Sequence, residues 1–434
     1  MTIGFLGSLR IDGAAALISA LAVTLLLLAL VTIRRQSRRR IVATIVAVVA
    51  AAAGGFALVW LVGDVLDVFG LSFSWTFRLC IAGVLVGIAL AVFGLGRTRP
   101  WRRFIAILAI PAVLATSALF VNADFGLYRT VNEALTPHSV PDTTLTPVAT
   151  TGLDVASADF LASWVPPASM PAAGSVTETA IPATVSRFNA RPAAIYLPPA
   201  ALTATPPRLP VMVMFSGQPG GPEDLFITGH LTQTLDAFAA AHNGLAPIVV
   251  VPDQLGSPDQ NPMCVDSPLG NVATYITQDV TTWIQATLPV TTDHRYWGVG
   301  GFSEGGTCTT QFGAAHPDLY RTWFDIAGEI APTIGDSTVA TAFGGSNAAY
   351  EAAKPVAILA ANAPYHDVVA IVGYGALDDR YGGETKTVAA AMTAAGVAVT
   401  ELVSPDSGHD WNTVGYVFTN GIPVLCERLG LATS

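Results

Sequence analysis

The sequence predicts two unlike parts: a bundle of four membrane-spanning helices, then an α/β domain whose mostly parallel sheet carries helices on both faces. Three observations lead there. Four stretches free of charged residues, each long enough to cross a bilayer, fill the first third of the chain. Short β-rich runs alternate with helical ones from about Ser186 onward. Charge is also split between the two regions. Residues 1–130 hold 12 Lys/Arg and 4 Asp/Glu, a balance of +8, whereas residues 131–434 hold 9 and 27, a balance of −18. Only 12% of the 434 residues are charged, against about 25% in an ordinary soluble domain. The acidic remainder argues against nucleic acid as a partner.

The charge-free runs are 13–33, 41–63, 79–96 and 104–123. About 20 apolar residues in a helix cross the hydrocarbon core. The first run is too long for the apolar region of a cleaved signal, and its basic cluster follows it. Arg34, Arg35, Arg38, Arg39 and Arg40 fill the first short loop, and Arg97, Arg99, Arg102 and Arg103 the third. The second carries Asp64 and Asp67, with Arg78 at its far end. The positive-inside rule places both Arg-rich loops in the cytoplasm. With four spans, everything after Tyr128 is then expected outside it, on a protein of the cytoplasmic membrane. Residues 131–182, rich in Pro, Thr, Ser and Ala without sustained period, read as a linker and irregular segment. Residues 183–434 read as the extracytoplasmic domain.

Expected strands are 193–197, 210–215, 247–251, 296–300, 323–327, 368–373 and 397–403. Between them lie helix-like segments such as 231–242, 272–287, 305–316 and 384–395. Such alternation builds βαβ units around a parallel sheet. The central strands are near-continuous apolar runs, as a sheet covered on both faces requires.

At the end of one strand stands Gly301-Phe302-Ser303-Glu304-Gly305-Gly306. In G-x-S-x-G the serine occupies a strained strand-to-helix turn that presents its Oγ at the sheet edge. A serine hydroxyl needs a base to become a nucleophile, and in α/β-hydrolases the acid and then the histidine follow the serine in the chain. Two histidines lie well downstream. His366 precedes a strand, whereas His409, in Ser407-Gly408-His409-Asp410-Trp411, follows the last one and is the expected base. The acid should follow the penultimate strand, where Asp378 and Asp379 both stand; the spacing Gly375-Ala376-Leu377-Asp378 favours Asp378. Two backbone N–H groups should receive the oxyanion: that of Glu304, and one from the loop Phe215-Ser216-Gly217-Gln218-Pro219-Gly220-Gly221. Gln218 is the expected second donor, since Pro219 has no N–H. Cys264 and Cys308 are expected to pair, with Cys308 on the helix behind the serine and Cys264 in the 256–270 loop. Cys80 lies in the third span, and Cys426 is the third cysteine of the outer domain. No Cys/His spacing suggests a metal site.

Four segments, Ile195-Tyr196-Leu197-Pro198-Pro199, Phe215 to Gly220, Gly301 to Gly306 and Gly408-His409-Asp410-Trp411, resemble one branch of the α/β-hydrolases. That branch contains esterase D, enterochelin esterase and secreted mycolyltransferases, and the likeness runs from about Ser175 to Leu429. It implies ester hydrolysis or acyl transfer without a metal or cofactor. Many members carry His-Gly where this chain has Ser216-Gly217. The four spans have no counterpart in the soluble members.

An esterase tethered by four spans meets lipid esters first. The expected substrate is therefore an ester on a membrane lipid or envelope component at the outer leaflet. Aminoacyl-phosphatidylglycerol is a specific candidate, because related hydrolases of this fold remove aminoacyl esters and Glu304 beside the nucleophile would suit a cationic group. The alternatives are a mycolyltransferase-like acyltransferase with a sugar acceptor, and a non-catalytic receptor on a hydrolase fold.

Overall fold

The computed structural model describes residues 6–33, 36–96, 99–136 and 140–433. Arg34, Arg35 and Arg97 of the basic loops lie outside the described residues. The chain divides into two compact units, Met1–His138 with Asp410–Asn412, and Ser139–His409 with Thr413–Ser434.

In the first unit the four expected spans are helices: α1 (Ala14–Thr32), α2 (Arg38–Val59), α3 (Trp75–Leu95) and α4 (Pro100–Phe125). A π-helical turn, Trp60–Val65, extends α2. All four are long and apolar enough to cross a membrane, and at most 22% of each apolar window is buried against protein. Most of the apolar surface therefore points outward, as lipid-facing helices require. Contacts between the helices use small residues. A Cβ on Gly55 would lie 2.6 Å from Ala82 Cα, and one on Gly87 would strike Val113. With no hydrophobic drive between helices in lipid, close backbone approach of this kind supplies the packing. Buried Thr24 on α1 and Thr116 on α4 share a hydrogen bond of 2.8 Å. Pro111 sits inside α4 without ending it, as spans tolerate when neighbours satisfy the freed carbonyl.

The second unit is built on an eight-stranded sheet. Its strands are β1 (Ser175–Thr179), β2 (Ala193–Leu197), β3 (Val211–Phe215), β4 (Ile248–Val251), β5 (Trp297–Phe302), β6 (Thr322–Ile326), β7 (Val369–Gly375) and β8 (Ala398–Ser404). The spatial order is β1-β2-β4-β3-β5-β6-β7-β8. From β4 to β8 all neighbours pair in parallel, and β2 runs antiparallel to both β1 and β4. All residues of β3, β4, β5 and β6 are buried.

Helices cover both faces. They include α5 (Leu231–Ala241), α6 (Glu304–Ala315), α7 (Tyr381–Ala394) and α8 (Trp411–Arg428). Successive side chains of a strand point to opposite faces. On one face Trp323 of β6 leaves no room for a Cβ at Gly313 of α6. On the other, Phe324 stacks on Phe418 of α8 at 6.1 Å. Fully buried side chains of this size contribute roughly 1.5–3 kcal/mol each.

Residues 131–182 differ from expectation. Val131–Leu135 is a short helix with a capping box at Thr130 and Glu133, and Phe160–Ser163 forms another turn. Ser175–Thr179 is the edge strand β1, paired along its length with β2. Val155, Phe160 and Trp164 are buried, and the Trp164 indole N–H donates to Asn243 O at 2.9 Å. The second compact unit thus starts near residue 139, not 183. These apolar residues stand singly among Pro, Ser and Thr, so no period reveals them; long-range contacts fix their places. The expected 272–287 helix exists but passes through a π-helical turn, Tyr275–Val280.

Candidate active site

Every residue expected to carry chemistry follows the C-terminal end of a parallel strand, where open α/β sheets bind their ligands. Ser303 follows β5, Asp378 follows β7, His409 follows β8 and the Gln218 loop follows β3.

Ser303 has φ 59° and ψ −120°, a strained conformation that turns the chain from β5 directly into α6. The turn is possible because the residues two positions to either side, Gly301 and Gly305, lack side chains. A Cβ on Gly301 would lie 2.4 Å from Gly305 O, and one on Gly305 would lie 2.4 Å from Phe215 O. The turn is pinned by the Ser303 N–H, which donates to Ile326 O at 2.8 Å.

His409 Nε2 lies 2.8 Å from Ser303 Oγ, and His409 Nδ1 lies 3.1 Å from Asp378 Oδ2. Oδ1 of Asp378 accepts the backbone N–H of Tyr381 at 2.8 Å and of Arg380 at 3.2 Å. Burial alone would raise the Asp378 pKa. The hydrogen bond and charge of His409, with these two N–H groups, outweigh it and hold the carboxyl below its ordinary value. Phe302 stacks on the His409 ring at 5.0 Å, and Tyr381 packs on it at 4.4 Å. Asp378, not Asp379, joins the histidine, and Asp379 is exposed. His366 is exposed, three residues before β7, and its carbonyl accepts from Arg321 at 2.9 Å.

The 215–221 loop lies against the serine. A Cβ on Gly217 would sit 3.2 Å from Ser303 Cβ, and the Gln218 side-chain amide donates to Asp259 O at 3.2 Å. The cystine Cys264–Cys308 is formed as expected, joining the loop after β4 to α6; Cys426 is buried and unpaired. Among the described residues Cys264, Glu304 and Cys308 bring donor atoms within 4.8 Å of one another. Sulfurs bonded to each other are not thiolates, so the group does not present a metal-ligand set.

The expectation for the Glu304 side chain is corrected. It is buried, not open to substrate. Burial pushes its carboxyl up to about 8, with nearby Glu329 and Asp253 adding to the rise against a hydrogen bond from Gln254. Near neutral pH it is mostly uncharged and offers no anion to a cationic group. Gln254 escaped the sequence reading altogether, as did the two rings around His409. Its one signal was the Pro252-Asp253-Gln254 sequence that follows the apolar run of β4.

A family described as "Putative esterase" matches residues 188–413. An uncharacterized protein of Corynebacterium glutamicum is 33% identical over 297 residues, which are 66% of this chain and 65% of that one. The alignment thus spans just under two thirds of that relative's length. Among solved structures, a ferulic acid esterase superposes with a TM-score of 0.50 and 19% identity, over 59% of this chain and 98% of its own. An S-formylglutathione hydrolase of Agrobacterium tumefaciens gives a TM-score of 0.49 and 17% identity, over 59% and 95%. The first of these likenesses shows the α/β-hydrolase fold.

Proposed function

We propose, because this chain belongs to that esterase family, that it is a membrane-anchored serine esterase acting through Ser303, His409 and Asp378. Ser303 Oγ attacks the ester carbonyl carbon while His409 Nε2 takes its proton. Asp378 holds the Nδ1–H and stabilises the imidazolium. The oxyanion accepts N–H groups from Glu304 and Gln218. Collapse expels the alcohol, which takes the proton from His409, and leaves an acyl-serine. Water then repeats the sequence and releases the acid.

The observation that carries this reading is the unbroken Ser303–His409–Asp378 relay on a chain with four helices of membrane-spanning length. The substrate class is an ester on a membrane lipid or envelope component. The site lies at the outer face of the cytoplasmic membrane, a placement supported by the basic first and third loops. Aminoacyl-phosphatidylglycerol is the specific candidate. The acidic balance of residues 131–434 favours its cationic headgroup; Glu304 contributes nothing to that.

The test is full-length protein in liposomes containing lysyl-phosphatidylglycerol, followed by mass spectrometry. Free lysine and phosphatidylglycerol should appear, and should not appear with Ser303→Ala. Intact lipid beside rapid hydrolysis of p-nitrophenyl butyrate would reject this substrate. Acylated trehalose, formed when the sugar is added, would make the protein an acyltransferase.

A further inference from the structure

We propose that Gln254 and the Glu304 side chain are positioning residues, which together clamp the oxyanion loop to the nucleophile's helix. The proposal rests on the reading of Ser303 as nucleophile and of residues 215–221 as oxyanion loop.

Gln254 follows β4 and is fully buried. Its side-chain Nε2 donates to two acceptors, Ser216 O at 2.7 Å and Glu304 Oε2 at 2.9 Å. Two acceptors on one nitrogen use both amide protons and fix which way the side chain faces. Ser216 O belongs to the peptide plane that also carries the Gly217 N–H, so anchoring the carbonyl sets the direction of that plane. The next residues are Gly217, which has no side chain to restrain it, and Gln218, the expected donor. The clamp therefore acts just where the loop would otherwise be free to turn. At its other end it holds Glu304, whose backbone N–H is the second donor. One side chain thus ties both halves of the oxyanion hole together.

The state of Glu304 decides what this clamp does to catalysis. Its Oε1 faces the cystine, 3.0 Å from Cys308 Sγ and 3.5 Å from Cys264 Sγ, and among the described residues no cation pairs with it. The charged groups that act on it are Asp253, itself bonded to Arg191, and Glu329 from the segment after β6. Burial, reinforced by both carboxylates, keeps Glu304 protonated up to a pH of about 8. Above that, a negative charge forms on the residue whose N–H must receive the oxyanion, and turnover falls. Glu329, pushed up to about 7 first by burial and then by Glu384, has ionised already by then.

The experiment uses the purified full chain and p-nitrophenyl butyrate. Gln254→Leu should lower kcat by about 100-fold, near the lower end of the loss for one oxyanion donor, with KM little changed. Glu304→Leu should fall likewise, and Glu304→Gln, the isostere of the neutral acid, should recover most of that loss. The ratio of kcat at pH 9.5 to that at pH 7.5 should be well below one in the parent and near one in Glu304→Gln. Parental kcat in Gln254→Leu, or an alkaline fall that persists in Glu304→Gln, overturns the proposal; if Gln254→Leu does not fold, the pH ratio decides. Fluorophosphonate labelling of the parent separates the two levels. A parent that is not labelled at Ser303 sinks the nucleophile reading and the clamp with it, whereas a labelled parent with unaltered variants sinks the clamp alone.

Discussion

Replacing the buried Asp378 by asparagine tests the relay at the link that orients the imidazole. The structure dictates how the amide would sit. Oδ1 of Asp378 already accepts two backbone N–H groups, from Tyr381 and Arg380. An asparagine oxygen must keep that place, which turns its NH2 toward His409 Nδ1. The imidazole can then meet the NH2 only with a lone pair at Nδ1, and its proton moves to Nε2. That proton points at Ser303 Oγ, 2.8 Å away, so the ring can no longer accept the serine's proton. A wrong tautomer of this kind costs on the order of 10⁴ in kcat, about 5.4 kcal/mol at 1.36 kcal/mol per tenfold. The assay is kcat on p-nitrophenyl butyrate, with circular dichroism to show that the fold is kept. Asp379→Asn, altering an exposed side chain, should stay close to the parent rate. A folded Asp378→Asn that keeps more than about a tenth of parental kcat, or a large loss confined to Asp379→Asn, would refute the reasoning.

Three further outcomes follow from the two units. Burial raises the carboxyls of Glu304 to about 8 and of Asp325 and Glu329 to about 7. The unfolded chain therefore loses protons that the folded one keeps, and stability should fall as pH rises from 5 to 8.5. The Asp378 carboxyl, held low, withdraws stability only below the ordinary carboxylate range and does not offset this. Urea unfolding of the 139–434 domain should show a decrease on the order of a few kcal/mol; equal stability at both pH values would count against the buried neutral acids. A cysteine at exposed Ser337 should react with impermeant maleimide in intact cells while one at Ser37 should not, and the reverse pattern would put the catalytic unit in the cytoplasm. The same 139–434 domain should hydrolyse p-nitrophenyl butyrate at near-parental rates but act on aminoacyl-phosphatidylglycerol in liposomes slower by about tenfold or more, roughly 1.4 kcal/mol of lost positioning. Equal loss on both substrates would mean that the spans help to build the site, and equal retention would make them an anchor only.

The sequence exposed most of this site because its chemistry is local or ordered along the chain. The Gly301–Gly305 spacing is demanded by backbone packing within one turn, so Ser303 is visible as a motif. Asp378 and His409 could be placed because each follows a strand whose apolar run marks its own end. Long apolar runs likewise disclosed the four spans. What escaped depends on contacts between distant segments. The edge strand Ser175–Thr179 carries little alternation and is held by pairing with β2. Gln254 gains its place only when β4 comes beside β3 and α6. Glu304 misled for the same reason: a charged letter next to the nucleophile reads as exposed, and only the packed helix shows it buried under Gln254 and the cystine.

Ser303 as nucleophile is tested by the site of covalent capture by a fluorophosphonate, read by mass spectrometry on tryptic peptides of the protein. One adduct is expected, on Ser303, absent in Ser303→Ala and formed far more slowly in His409→Ala. An adduct on another residue, or ester hydrolysis that persists at the parental rate in Ser303→Ala, would contradict that role.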